Sequence, residues 1–163
     1  MITNMKKIRI GIDFHGVFNT KPEYFSRFCH DAMARGWEIH IISGGPEDKI
    51  KKYLKQYNAS YNKIFTILEE AQKLGIVKFF DDKTFHIDDD FWNKAKAIYC
   101  EINNIDLHID DSQEYGKYFS TGFCLYNQQK NICKIKGSTK EISFRNEIEN
   151  TLNQIGFYLE SKS

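Results

Sequence analysis

The chain has 163 residues, a length that suits one domain of ordinary size burying well over half of the surface its unfolded form exposes. Hydrophobic residues make up 41%, aromatic residues 15% and charged residues 28%, which excludes a disordered chain. Lys and Arg total 23 against 22 Asp and Glu, a formal net charge of +1, so no overall basic field draws in nucleic acid or an anionic membrane.

Ile8 to Phe14 (IRIGIDF) sets apolar side chains at nearly every other position and runs into Gly16-Val17, predicting a buried strand that ends in a loop. From Pro22 to Gly36, the residues Phe25, Phe28, Cys29, Ala32 and Met33 recur at steps of three and four, the period of a helix face, and Gly36 suits the C-terminal stop. Glu38 to Ile42 (EIHII) predicts a second strand that breaks at Ser43-Gly44-Gly45. Pro46 then fits the first turn of a helix carrying Ile50, Tyr53, Leu54 and Tyr57.

Lys63 to Leu68 (KIFTIL) fits a third strand or the front of a helix running to Leu74, because a short apolar run does not separate the two by period. The strand is the reading adopted. Val77 to Asp90 places Asp81-Asp82 and Asp88-Asp89-Asp90 around an extended apolar stretch, the pattern of a hairpin or surface excursion. Asp90 is read as the cap of a helix beginning at Phe91 and carrying Trp92, Ala95, Ile98, Tyr99 and Ile102; Asn103-Asn104 breaks it before a strand at Ile105 to Ile109. A strand at Gly122 to Tyr126 and an amphipathic helix from Ile142 to Leu159 complete the series. There is no repeat, low-complexity tract or linker.

The four cysteines, Cys29, Cys100, Cys124 and Cys133, form no CxxC pair, and the first ten residues lack the apolar core of a signal peptide. A reducing cytoplasm is therefore the expected compartment. No window approaches the roughly 18 to 20 apolar residues needed to span a bilayer.

Alternating strands and helices imply an α/β fold, with right-handed crossovers and a mainly parallel sheet covered on both faces. Ligands of such sheets bind at the carboxyl ends of the strands, beside the topological switch point. Three polar loops follow apolar runs: Asp13-Phe14-His15-Gly16-Val17, Ser43-Gly44-Gly45 and Asp110-Asp111-Ser112. Each alone is ordinary, since Asp-x-x-Gly is a common turn and an Asp pair a common helix cap. Together they place carboxylates where a hard, oxygen-seeking cation such as Mg²⁺ bridges to a phosphate.

In this order the motifs resemble the haloacid dehalogenase-like hydrolase superfamily, over roughly Ile8 to Tyr126, as a minimally capped, phosphatase-type member. Its first motif, DxDG[TV], reads D-F-H-G-V here, its second, a Ser or Thr closing strand two, reads Ser43 in I-I-S-G-G, and its acidic pair reads Asp110-Asp111. The resemblance implies a single domain over residues 1–163 on a Rossmann-like sheet, and a Mg²⁺-dependent phosphohydrolase. Asp13 attacks phosphorus and forms an aspartyl phosphate, which water then cleaves. The cation ligands it implies are the Asp13 carboxylate, the backbone carbonyl of His15, Asp110 and Asp111; Ser43 and Gly44 bind the phosphate, aided by free N–H groups at the start of the next helix.

The family's remaining motif is a lysine on the helix before the acidic pair. Lys94 and Lys96 compete, and since residues two apart on a helix diverge by about 200°, only one can face the site. K-A-I-Y-C, beginning at Lys96, matches a pattern of the family and selects Lys96. The departure is His15, where the family carries a second Asp as general acid and base. Histidine changes charge near neutral pH and suits that work, but the change also fits a structural or substrate-orienting residue. That second reading makes the chain a binding or regulatory protein with little turnover. A phosphoacceptor of the response-regulator kind fits less well, because it needs an acidic pair after the first strand.

The short interval from Val17 to Trp37 holds one helix and little else, leaving only Val77 to Asp90 as cover. By family logic a sparsely capped site suits a phosphorylated macromolecule, a nucleotide end or a small phosphoester, and the acidic excursion argues against broad nucleic-acid contact.

Overall fold

A computed structural model describes residues 6–81 and 84–162. Asp82, part of the acidic excursion, lies outside the described residues. The first strand, β1 (Arg9–Ile12), is followed by a 3₁₀ turn at Phe18–Thr20 and by α1 (Pro22–Ala34). Next come β2 (Glu38–Ser43), α2 (Glu47–Gln56), β3 (Lys63–Thr66) and α3 (Ile67–Lys73). KIFTIL is thus both alternatives in succession, a strand to Thr66 and a helix from Ile67.

The excursion forms a hairpin of two-residue strands, β4 (Lys78–Phe79) and β5 (Phe85–His86), before α4 (Asp89–Ile102). The cap of α4 is Asp88, not Asp90: the Asp88 carboxylate accepts the Phe91 N–H at 3.2 Å. In a run of three aspartates, period alone does not choose the one with non-helical backbone. After β6 (Leu107–Asp110), the short α5 (Gln113–Gly116) and β7 (Gly122–Asn127), two strands appear that the sequence reading did not anticipate, β8 (Ile132–Ile135) and β9 (Glu141–Ser143). The last helix, α6 (Ile148–Glu160), consequently begins later than expected, and Ile142 is a strand residue.

Seven strands form one sheet in the order β3-β2-β1-β6-β7-β8-β9, and β4-β5 pair separately. The pairings from β3 to β7 are parallel, while β7–β8 and β8–β9 are antiparallel. The fold is a Rossmann-like, mostly parallel α/β sheet. Helices cover both faces. Ile10, Ile12, Ile39, Ile41, Leu107 and Ile109 pack with α1, α2 and α6 on one side, while Ile42 and Phe123 pack with Ala97 and Cys100 of α4 on the other. This is why β2 and β6 read as nearly continuous apolar runs. Each such side chain taken fully from water contributes about 1.5–3 kcal/mol.

The chain steps outward from β1 to β3, then returns to place β6 on the opposite side of β1. The switch point lies between β1 and β6, where Asp13 directly follows β1 and Asp110 ends β6. Cys124 of β7 and Cys133 of β8 are joined as a disulfide, a bond that no CxxC spacing announces, and Cys29 and Cys100 are buried free thiols. No helix among the described residues is long and apolar enough to cross a membrane.

Candidate active site

Asp13 follows the last residue of β1 and hangs from the neighbouring strand by its N–H, which donates to the Ile109 carbonyl at 2.9 Å. Its own carbonyl receives the Phe18 N–H at 3.1 Å, turning the chain back over the strand end. Gly16 in this turn has φ +86°, and a side chain there would collide with the Asp111 carboxylate. The glycine therefore serves two needs at once, a left-handed backbone and the close approach of Asp111.

Lys96 joins the two strand ends. Its α4 backbone runs along the sheet face toward which Asp13 and Asp110 point, and its ammonium lies 3.0 Å from Asp13 Oδ1 and 2.9 Å from Asp110 Oδ2. All three side chains are buried. Lys94 points elsewhere, pairing with Asp90 at 2.9 Å on the outer face of the helix. The Asp13, Asp110 and Asp111 carboxylates each offer an oxygen within 4.8 Å of the others, Asp111 from the exposed rim.

The electrostatics follow from that crowding. Burial, with repulsion from Asp110 and Asp111, raises the Asp13 pKa well above the usual carboxylate value although Lys96 opposes the shift. Burial also pushes Asp110 upward, but Lys96 and His108 overcome it and hold its carboxyl below the ordinary range. Lys96 itself is discouraged by burial, yet its two carboxylate partners prevail and its pKa is raised. Asp111 is raised by burial and by its neighbour Asp110. Three carboxylates against one ammonium leave room for added positive charge, and an all-oxygen donor set suits a hard cation of the Mg²⁺ kind rather than a soft one.

Ser43 ends β2 with its side chain wholly buried and its hydroxyl without a hydrogen-bond partner. Gly44 follows with the Trp92 indole lying so near that a Cβ there would sit 2.9 Å from the ring. The start of α2 is not free, contrary to the expectation from sequence: the Glu47 N–H donates to Glu69 Oε1 at 2.9 Å, and Glu69 also accepts from the Thr66 hydroxyl. A carboxylate on α3 so occupies part of the amide end reserved in the sequence reading for phosphate.

His15 is solvent-exposed, its ring set edge-on to Phe14 with centroids 4.9 Å apart, and no hydrogen bond joins it to Asp13, Lys96, Asp110 or Asp111. Several residues at the site escaped the sequence reading. His108 donates to the same Asp110 oxygen as Lys96, at 2.9 Å. Tyr115 lies under the Lys96 ammonium, 4.5 Å from ring centroid to Nζ, and its hydroxyl accepts the Trp92 indole N–H at 2.6 Å. His108 was legible, since residues two apart on a strand share a face; Tyr115 of α5 and Trp92 of α4 were not, because the two helices approach only in three dimensions.

The fold and this cluster define an α/β protein with a polar centre at its switch point. No family model matches the chain, and no curated protein matches it either.

Proposed function

We propose that this chain is a divalent-cation-dependent phosphohydrolase of the haloacid dehalogenase-like kind, acting on a phosphomonoester through a covalent intermediate on Asp13. The observation that carries the reading is the convergence of Asp13 and Asp110 on a buried lysine at the switch point, with the Asp111 carboxylate beside them. Asp13, Asp110, Asp111 and the His15 backbone carbonyl would hold Mg²⁺, which when bound neutralises the carboxylates and the phosphate and stabilises charge on the transferring group. Lys96 favours the charged form of Asp13 against the effect of burial and holds its carboxylate in line. An Asp13 oxygen then forms a bond to phosphorus as the ester bond breaks, and the leaving oxygen takes up a proton. Water next attacks phosphorus, losing a proton, and the Asp13 carboxylate departs. Ser43, whose hydroxyl has no protein partner, supplies a donor toward phosphate oxygens beside Gly44.

His15 is the group at this turn suited to both proton transfers, provided its exposed ring swings from Phe14 toward the substrate. Its present position against Phe14 favours a second reading, a phosphate-binding protein with slow turnover. The cytoplasm stays the proposed compartment, with the Cys124–Cys133 disulfide, a bond rare in reducing compartments, as the observation against it. Phosphate release from aryl and alkyl phosphates, nucleoside monophosphates and an end-phosphorylated oligonucleotide, with and without Mg²⁺, separates them. Mg²⁺-dependent release that vanishes in Asp13→Asn supports the enzyme. Phosphate binding without release from any substrate supports the binding protein.

A further inference from the structure

We propose that His108 is a positioning residue for Asp110, its Nε2–H holding the carboxylate in the orientation that coordinates a divalent cation. The inference rests on the reading of the strand ends as a cation centre. His108 lies two residues before Asp110 on β6, so both side chains leave the strand on the α4 face. The imidazole is completely buried, and Nε2 lies 2.9 Å from Asp110 Oδ2. An ionised carboxylate only accepts, which assigns the shared proton to Nε2.

Three donors then define the plane of Asp110. His108 and Lys96 both reach Oδ2, and the Ser112 N–H reaches Oδ1 at 3.0 Å. Lys96 is shared with Asp13 and sits on a helix; Ser112 lies in the loop after the strand. His108 is the donor fixed on the strand itself. Its ring is parallel to Phe119, with an interplanar angle of 1° and centroids 5.3 Å apart, so rotation is blocked.

A satisfied core histidine is the simpler account, but two features oppose it. Nδ1 is buried and makes no hydrogen bond of good geometry, its neighbour being the Gly11 backbone, a cost that a leucine at this position would avoid. In addition, β1 carries glycine opposite, and a Cβ at Gly11 would lie 2.6 Å from Nδ1. Two positions of the central strands are thus given over to one hydrogen bond on one carboxylate. Partners of ligating groups generally govern metal affinity in this way, by removing the freedom of the ligand to turn.

The test measures Mn²⁺ binding to the whole chain by electron paramagnetic resonance, with thermal melts recorded without metal. The variants are His108→Leu, His108→Asn and His108→Gln. Glutamine carries its amide at the reach of Nε2, whereas asparagine stops short. Leu and Asn should weaken Mn²⁺ binding by roughly 10- to 100-fold, and Gln should recover most of the loss, irrespective of the order of the metal-free melting temperatures. Should His108→Leu not fold, the Gln–Asn comparison decides. Equal affinity in wild type and Asn or Leu variants, or equal loss in Gln and Asn, overturns the positioning role while leaving the cation centre standing. Absence of Mn²⁺ binding by the wild type overturns the centre and the role together.

Discussion

Among the described residues, Lys96 is the only group with formal positive charge in direct contact with both buried carboxylates. Replacing it by methionine keeps the volume but leaves Asp13 and Asp110 buried beside each other without a cation, with His108 and the Ser112 N–H as the remaining donors to Asp110. Breaking a buried ion pair from one side typically costs about 3–5 kcal/mol, and urea unfolding of Lys96→Met should fall in that range. Adding Asp13→Asn to it should recover part of the loss, because one of the two stranded charges is then gone. A Lys96→Met protein as stable as wild type would show that the carboxylates simply take up protons at little cost.

At the same scale, His15 carries the question of proton transfer. If it serves both steps, His15→Ala should slow turnover by roughly 10²–10⁴, most for alkyl phosphates with poor leaving groups. His15→Asp, which matches the first motif of the superfamily that the strand-end motifs resemble, should keep or raise activity with an optimum at more acidic pH. A pH–rate profile of these variants on an alkyl and an aryl phosphate reads the outcome. Rates of His15→Ala equal to wild type on both would assign the proton to another group and make His15 a scaffold residue.

At the scale of elements, the site depends on contacts between the loop after β2 and the front of α4. Trp92 fills the space over Gly44 and is held by its hydrogen bond to Tyr115, which in turn lies under Lys96. A methyl group at position 44 therefore displaces a ring that is tied at its far side. Gly44→Ala should cost about 1–3 kcal/mol, the usual range for overpacking, and should shift the Trp92 emission as the Tyr115 contact is lost. Trp37 lies by Arg35, 5.9 Å from its guanidinium, and supplies a second emission that should stay unchanged. A Gly44→Ala protein with wild-type emission and stability would mean that the ring moves freely.

For the molecule as a whole, acid sensitivity is built into β2, away from the cluster. The His40 ring is buried between Glu38, whose Oε1 lies 2.6 Å from Nε2, and the Tyr99 hydroxyl, 2.7 Å from Nδ1. Burial lowers the His40 pKa, with Lys63 and Arg9 adding to the shift and Glu38 opposing it. The hydrogen bond from His40 in turn lowers Glu38, and burial raises Tyr99 to about 12, so Tyr99 is the donor to the ring. Since the unfolded chain takes up a proton on this histidine more readily than the folded one, stability is complete above the ordinary histidine value near 6.5 and declines as pH falls below it. The Glu38 contribution, from a depressed carboxylate, is lost in the same direction at lower pH. Melting temperatures between pH 7.5 and 5 should therefore decline, and His40→Phe should flatten that slope whatever its effect on stability at pH 7.5. An unchanged slope would assign the acid response elsewhere.

The sequence by itself determined the alternation of strands and helices and the strand-end aspartates, because both are local. A buried parallel strand must be apolar along its length, a helix must repeat its apolar face at 3.6, and Asp13, Ser43 and Asp110 stand where apolar runs stop. The choice between Lys94 and Lys96 was also local, an angle on one helix combined with a motif. Tertiary structure alone decided the rest. The antiparallel strands β8 and β9 are too short for period to declare; pairing with β7 holds β8, and pairing with β8 holds β9. Glu69 reaches the start of α2 from another helix, and Trp92, Tyr115 and Gly44 meet from three separate elements. The position of the His15 ring follows from Phe14 beside it and from what the loop leaves open to solvent. Such contacts depend on distances between segments far apart in the chain, which no local pattern of residues encodes.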